Sequence, residues 1–387
     1  MPENKTIYFD NAATTIVRDE VFTAMEPFLK EAYGNPSSLY KIARDAKNAI
    51  EKAREQVAAA IGAGSDEIFF TGSGTEADNW AIMSAALAHR SKGNHIITSS
   101  IEHHAVLHTC EYLEKHGFEV TYLPVDEFGI ISIYDLEKAI KPETILISIM
   151  YANNEIGTIQ PIAEIGRITR ARGILFHTDA VQAIGHLPVD VKADNIDLLA
   201  LSAHKVHGPK GVGALYVRKG VNLPAFIHGG AQERGRRAGT ENVAGIVGLG
   251  AALSLAHSEM DEKIEKIRTL RDKIIDEILE RVPNSRLNGH REKRLPGNAS
   301  ISFDFVEGES ILLMLDMRGI AASSGSACTS GALNPSHVLM ALGLPHEKAH
   351  GSVRISVGRY NTEEEADRLI AEIVPIVEKL RAMSPLC

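Results

Sequence analysis

Lys205 stands where a lysine is costly. The apolar run Ile196-Asp197-Leu198-Leu199-Ala200-Leu201 has the length and composition of a buried strand. It leads into Ser202-Ala203-His204-Lys205 and then Val206-His207-Gly208-Pro209-Lys210-Gly211. An ammonium at the end of a buried strand must be paired or neutralised. Desolvation favours the free amine, the form that condenses with carbonyl groups. Upstream, Asp179 closes a second apolar run, Gly173-Ile174-Leu175-Phe176-His177-Thr178. A lysine that forms an imine and an acid that holds a pyridinium nitrogen are the two groups pyridoxal 5'-phosphate needs from a protein. The plainer reading is a lysine that snorkels to solvent; the flanking sequence weighs against it.

Other segments carry compatible chemistry. Gly72-Ser73-Gly74-Thr75-Glu76 lies between a strand-like and a helix-like run, where backbone N–H groups and hydroxyls can meet an anion. A plain strand–helix turn explains the same residues. No G-x-G-x-x-G or Walker lysine is formed there. Glu102-His103-His104 follows the strand-like His95-Ser99, and a histidine there can stack on a flat cofactor and move protons. His104 and His108 have the i,i+4 spacing of metal ligands, but without a further ligand set a solvated helix face is the better expectation. Asn153-Asn154-Glu155 suits either a turn or amide contacts to a ligand, and Gln182 follows Asp179 closely enough to reach the same ligand. Gly229 to Asn242 is rich in glycine and arginine and includes Thr240, as a phosphate-binding loop could be. Arg354, inside a strand-like run, calls for a carboxylate, either of a ligand or of this chain. Cys328 sits among small polar residues, Ser323-Ser324-Gly325-Ser326-Ala327-Cys328-Thr329-Ser330-Gly331, which suits a nucleophilic thiol on a movable loop better than a packed core.

The elements that must position these groups alternate. Strands are expected at 67–71, 95–99, 119–123, 144–150, 174–178, 196–201 and 213–217, with helices between them at 76–89, 105–116, 132–140 and 161–172. That pattern predicts an α/β fold with a mainly parallel sheet covered by helices. Two long helices follow, at 243–257 and 259–281, then strands near 299–304 and 352–357 and a final helix over 362–383 capped by Thr362. The expected division is a large unit over 15–258 and a smaller α+β unit made of 1–14 and 259–387.

Bulk properties narrow the function. The 387 residues are 44% hydrophobic and 24% charged, with a net charge of −9, which argues against a nucleic-acid surface. The three cysteines, Cys110, Cys328 and Cys387, form no disulfide framework and fit a reducing cytoplasm. Cys110 reads as structural. No signal segment or membrane span is expected; the most apolar stretch, 245–256, reads as a buried helix.

Taken together, Tyr8-Phe9-Asp10-Asn11-Ala12-Ala13-Thr14-Thr15, Gly34-Asn35-Pro36-Ser37-Ser38, Asn153-Asn154-Glu155, His177-Thr178-Asp179-Ala180, Ser202-Ala203-His204-Lys205 and Ser326-Ala327-Cys328 resemble the cysteine desulfurases of the nitrogen-fixation and iron–sulfur-assembly type. These are fold-type-I pyridoxal-phosphate enzymes of the class V aminotransferase superfamily. The resemblance implies that Lys205 carries the cofactor, Asp179 faces its ring nitrogen, Gln182 its ring hydroxyl, and His103 stacks on it. Gly74, Thr75, Ser202 and His204 would hold its phosphate. Thr240 would reach the phosphate of the neighbouring subunit of a homodimer. Asn154 and Arg354 would grip the carboxylate of L-cysteine. Cys328 would accept sulfur as a persulfide, pass it to an iron–sulfur scaffold protein and, with that partner, serve as a transient cluster ligand. A selenocysteine lyase or an aminotransferase on the same fold, and a non-catalytic sulfur-trafficking scaffold, remain as alternatives.

Overall fold

The computed structural model describes residues 6–324 and 335–384. The chain opens with β1 (Ile7–Tyr8), α1 (Asp19–Lys30) and α2 (Lys41–Ala60). Strands β2 (Ile68–Thr71), β3 (His95–Ser99), β4 (Glu119–Leu123), β5 (Thr144–Ser148), β6 (Leu175–Asp179), β7 (Leu198–Ser202) and β8 (Gly213–Val217) follow. Helices α3 (Gly74–His89), α4 (His104–Glu114), α5 (Ile133–Ala139) and α6 (Ile162–Arg172) lie among them. After the single turn α7 (Gln232–Gly235) come α8 (Val243–Ser258) and α9 (Met260–Arg281). The rest comprises β9 (Ser285–Leu287), β10 (Asn298–Phe303), α10 (Gly308–Asp316), β11 (Ile320–Ala321), α11 (His337–Ala341), α12 (His346–His350), β12 (Ser352–Ser356) and α13 (Glu363–Met383).

The strands β2 to β8 form one sheet in the order β2-β8-β7-β6-β5-β3-β4. The run from β7 to β4 is parallel; β8 lies antiparallel between β2 and β7. Its side chains alternate between two cores, as a pleated strand requires. Leu199 and Leu201 face one with α2, α6 and α8, while Leu198 and Ala200 face the other with α3 and α4. Burial on both faces explains the near-continuous apolar runs. The apolar α8 is packed within the first of these cores. Among the described residues no single helix is long and apolar enough to cross a membrane.

A second, antiparallel sheet, β12-β10-β9, packs on α9, α10 and α13 around its own core. β1 pairs with β11, so the N-terminal strand belongs with this core. The N-cap at Thr362 is as expected: its side chain accepts from Glu365 N–H, and Glu365 returns a bond to Thr362 N–H. The strands of the larger sheet end at one edge, where the segment after β1 and Arg354 of β12 meet them.

Candidate active site

A cavity of about 500 Å³ opens at the carboxyl ends of β5, β6 and β7, the place where open parallel sheets bind ligands. Gly74, Thr75, His103, Asn154, Asp179, Gln182, Ser202, His204, Lys205 and Arg354 all line it. At one end the N-terminus of α3 points in. Ser73 caps it by accepting from Glu76 N–H at 3.1 Å, which leaves Gly74 and Thr75 in the first turn facing the cavity. A Cβ on Gly74 would lie 2.7 Å from Val181 Cγ2, so the backbone approaches the strand ends more closely than any side chain allows. Unpaired N–H groups and the helix dipole make such an end a seat for phosphate. Ser202 and His204 come from β7 and the turn after it. Burial pushes the His204 imidazole down to about 4, so it is neutral at pH 7, with Nδ1 3.1 Å from Thr14 Oγ1.

Lys205 lies in the turn after β7, half-buried. Its Nζ donates to the carbonyls of Ala12 and Ala13 at 2.6 and 2.8 Å. This answers the cost of its position: the segment after β1 wraps over the strand end and supplies acceptors. Thr15 N–H and Oγ1–H, both bonded to the His204 carbonyl at 2.9 Å, hold that segment in place. Asp179 is buried at the end of β6, with Oδ1 accepting from Val181 N–H at 2.9 Å. Desolvation pushes its carboxyl up, and His103, the Val181 N–H and Lys205 pull it back. Gln182 Nε2 donates to the Ala12 carbonyl at 2.9 Å.

On the opposite side, His103 caps α4, its Nδ1 accepting from Ala105 N–H at 3.1 Å. Arg354 is buried in β12; Nη1 donates to the Asn154 carbonyl at 3.0 Å and Nη2 to Asp10 Oδ1 at 2.8 Å. Its internal carboxylate is Asp10, and the same side chain lines the cavity. Asp10, the Ala12 and Ala13 carbonyls, Lys210 and Asp78 are site features that sequence reasoning did not single out. Asp78 alone left a signal, an acid in α3 just ahead of the apolar run Trp80-Ala81-Ile82-Met83.

Other expected residues lie elsewhere. Thr240 is exposed and outside this cavity. The arginines of its loop are engaged internally: Arg237 pairs with Glu76 at 2.8 Å, and Arg234 donates to the carbonyls of Asp66 and Ile68. This departs from an arginine-lined phosphate loop, because Glu76 and the backbone ends of β2 reach these side chains first. Cys328 falls outside the described residues. Cys110 is buried in α4, and burial pushes its thiol well up, as suits a structural residue. His104 is half-buried against His108 and His337 rather than on a fully solvated face. Among the described residues no group of three or more His, Cys, Asp or Glu could hold a metal ion.

The class-V aminotransferase model matches residues 7–369. The chain is 60% identical to the cysteine desulfurase IscS of Methanosarcina thermophila, over 99% of this chain and 95% of that one. It is 56% identical to the cysteine desulfurase IscS of Clostridium botulinum, over 99% and 97%. Among solved structures, a NifS-like protein superposes with a TM-score of 0.92 at 42% identity, covering 97% of this chain and all of that one. The match runs from the strand before the Lys205 cover to the last helix, and the chain belongs to the class-V aminotransferase family, among its cysteine desulfurases.

Proposed function

We propose that this chain removes sulfur from L-cysteine, using pyridoxal 5'-phosphate and releasing L-alanine, with Cys328 taking the sulfur as a persulfide. The observation that carries the reading is the convergence of Lys205 Nζ, the buried Asp179 carboxyl and Arg354 on one cavity. The cavity's donor set fits the cofactor. The α3 N-terminus, too close-packed for a Cβ at Gly74, suits its phosphate, together with Thr75, Ser202 and His204. Asp179 suits its ring nitrogen, Gln182 its ring hydroxyl and His103 its ring face. Lys205 would anchor it through its aldehyde carbon. When bound, its ring takes up the electron pair left as the substrate's Cα–H bond breaks.

The chain's own residues do the rest. Asp179, as a carboxylate, keeps the ring nitrogen protonated. Arg354 and Asn154 orient the substrate carboxylate, so that the Cα–H bond faces Lys205. Lys205 Nζ, beside that bond, would take the proton from Cα and return it to Cα before alanine leaves. The Cys328 thiolate attacks the substrate sulfur. An S–S bond forms, the Cβ–S bond breaks with its electron pair left on carbon, and Cβ takes a proton. The net change is cysteine plus thiol to alanine plus persulfide, with no outside oxidant.

The assembly is read as a homodimer in which Thr240 serves the neighbour's phosphate, a reading supported by its exposure outside its own cavity and by the family resemblance. The sulfur then passes to an iron–sulfur scaffold protein, with Cys328 as a transient cluster ligand. The domain boundary is placed between 15–258 and the pair 1–14 and 259–387, following the separate cores of the two larger sheets.

The test is alanine formation from L-cysteine by the cofactor-loaded protein. Lys205→Ala should lower it by about 10²–10⁴-fold or more, the scale of a lost proton-transfer group. Alanine formation at the parent rate in Lys205→Ala would refute the assignment.

A further inference from the structure

Asp78 is buried in the second turn of α3, 1% exposed, and lines the cavity beside Asp179. Its Oδ1 has no hydrogen-bond partner. Neither does Nε2 of His177, a fully buried imidazole on β6. These two orphaned atoms face each other at 3.5 Å. The other ring nitrogen of His177, Nδ1, is 2.8 Å from Ser148 Oγ on β5. Buried polar atoms without partners are rare, and a facing pair is the arrangement that one proton closes.

We propose that Asp78 is a positioning residue for the cofactor: as a neutral carboxylic acid it donates to His177 Nε2, and so ties the helix at the phosphate end of the cavity to the strand that carries Asp179. The connection is direct in the chain. Asp78 is one helical turn beyond Gly74, and His177 is two residues before Asp179, on the same side of β6. His177 then donates from Nδ1 to Ser148, extending the tie to β5. This inference rests on the reading of pyridoxal phosphate between Gly74 and Asp179.

Geometry also says which acid keeps a proton. Asp179 is raised by burial as well, but it accepts a backbone N–H and faces Lys205 and His103, which pull it back toward its ionised form. Asp78 accepts no hydrogen bond, and its charged or titratable neighbours are His177 and Asp179 on β6 and Glu102 after β3. His177 is pushed down to about 3 by burial and is neutral. Glu102 is pushed up to about 8 by burial, and Asp179 adds only like charge. Burial therefore raises the Asp78 carboxyl well above the usual range.

Two kinds of measurement test this. In the apoprotein, unfolding frees Asp78 to ionise above about pH 4. The folded state keeps its proton, so parent stability falls as pH rises from there toward the folded pKa. Asp78→Asn cannot titrate. The variant's stability relative to the parent should grow between pH 5 and 7, by up to about tenfold in folding equilibrium per unit. A difference that is flat or shrinks with pH overturns the neutral acid. Nitrogen NMR of the parent's histidines, with His177 identified by its loss in His177→Gln, should show a neutral imidazole protonated at Nδ1; an imidazolium overturns it as well.

The positioning role is read by titrating apoprotein with pyridoxal phosphate. Asp78→Leu, neutral but unable to donate, should weaken binding about tenfold or more, the scale of one buried hydrogen bond left half-made. Asp78→Asn, neutral and able to donate, should restore most of the affinity. Parent-like binding by Asp78→Leu, or equal loss in Asp78→Asn, overturns the role. If instead the parent protein itself takes up no pyridoxal phosphate, the cofactor reading fails, while the apoprotein measurements still report on Asp78.

Discussion

Each charged side chain that the proposed chemistry uses has a hydrogen-bond partner within reach. Lys205 has two carbonyls, Asp179 a backbone N–H, and Arg354 a carboxylate and a carbonyl. The guanidinium of Arg354 makes its two contacts with different nitrogens at once, a fork that a lysine cannot reproduce. Arg354→Lys should therefore leave the positive charge but lose the fixed direction in which it meets a substrate carboxylate. We expect KM for L-cysteine to rise about tenfold or more, on the scale of one charge-assisted hydrogen bond, with a smaller change in kcat. Steady-state kinetics of the variant check this; an unchanged KM would remove Arg354 from substrate binding. Lys205, Asp179 and Arg354 were legible in the sequence because each is a charged residue at the end of, or inside, an apolar run, and Gln182 and His103 because they closely follow such runs. Asp10 was not, because its meaning depends on Arg354, which is distant in the chain and adjacent only in the fold.

At the scale of elements, the helix α3 shows how sequence sets the site. Ser73 ends β2's exit turn and caps the helix, and Gly74 lets the first turn settle against Val181 and Ser202. Gly74→Ala places a methyl 2.7 Å from Val181 Cγ2, so either the helix end or the turn after β6 must move. Such overpacking costs about 1–3 kcal/mol, and we expect a lower thermal midpoint and a cofactor affinity reduced by roughly tenfold. Equal midpoint and affinity in variant and parent would contradict the close-packed cradle. Six strands of the large sheet were legible because both faces are buried, which leaves largely apolar runs, whereas β4, at the edge, buries only Leu123. Their ends were less so. The run at 174–178 is a strand over Leu175–Asp179, since Leu175 pairs with Leu146 and Asp179 with Ala200. Glu67, expected in β2, belongs instead to the turn before it, where its side chain accepts from Gly64 N–H. The helix α2 escaped notice because its buried stripe is mostly alanine, with Ala43, Ala46, Ile50, Ala53 and Val57 packing small side chains toward α8. Alanine is a weak marker of a buried face, and the spacing alone is easily overlooked. The short β9 mixes serine and arginine with leucine and is fixed by pairing with β10, not by its own pattern.

At the scale of the whole molecule, the cavity lies where two cores meet. The large sheet supplies Asp179, Ser202 and Lys205, while the small sheet supplies Arg354, and the segment after β1 crosses between them. The stretch that holds Cys328 is tethered at both flanks beside this junction. Ser323 and Arg354 exchange backbone hydrogen bonds at 3.1 and 2.6 Å, and beyond the stretch Ser336 Oγ donates to Glu155 while His337 donates to the Glu102 carbonyl. From Ser323 to Cys328 is five residues, a length of chain that spans at most about 18 Å. Cys110, buried in α4 with its thiol pushed well up, is unsuited to the same task. Sulfur transfer to Cys328 is read in a single turnover. Cofactor-loaded protein is mixed with a limiting amount of L-cysteine, quenched with an alkylating agent, digested and weighed by mass spectrometry. One added sulfur, about 32 Da, is expected on the Cys328 peptide, together with one alanine released per sulfur and loss of both in Cys328→Ala. Sulfur found only on Cys110 or Cys387, or alanine formed at the parent rate by Cys328→Ala, would contradict it.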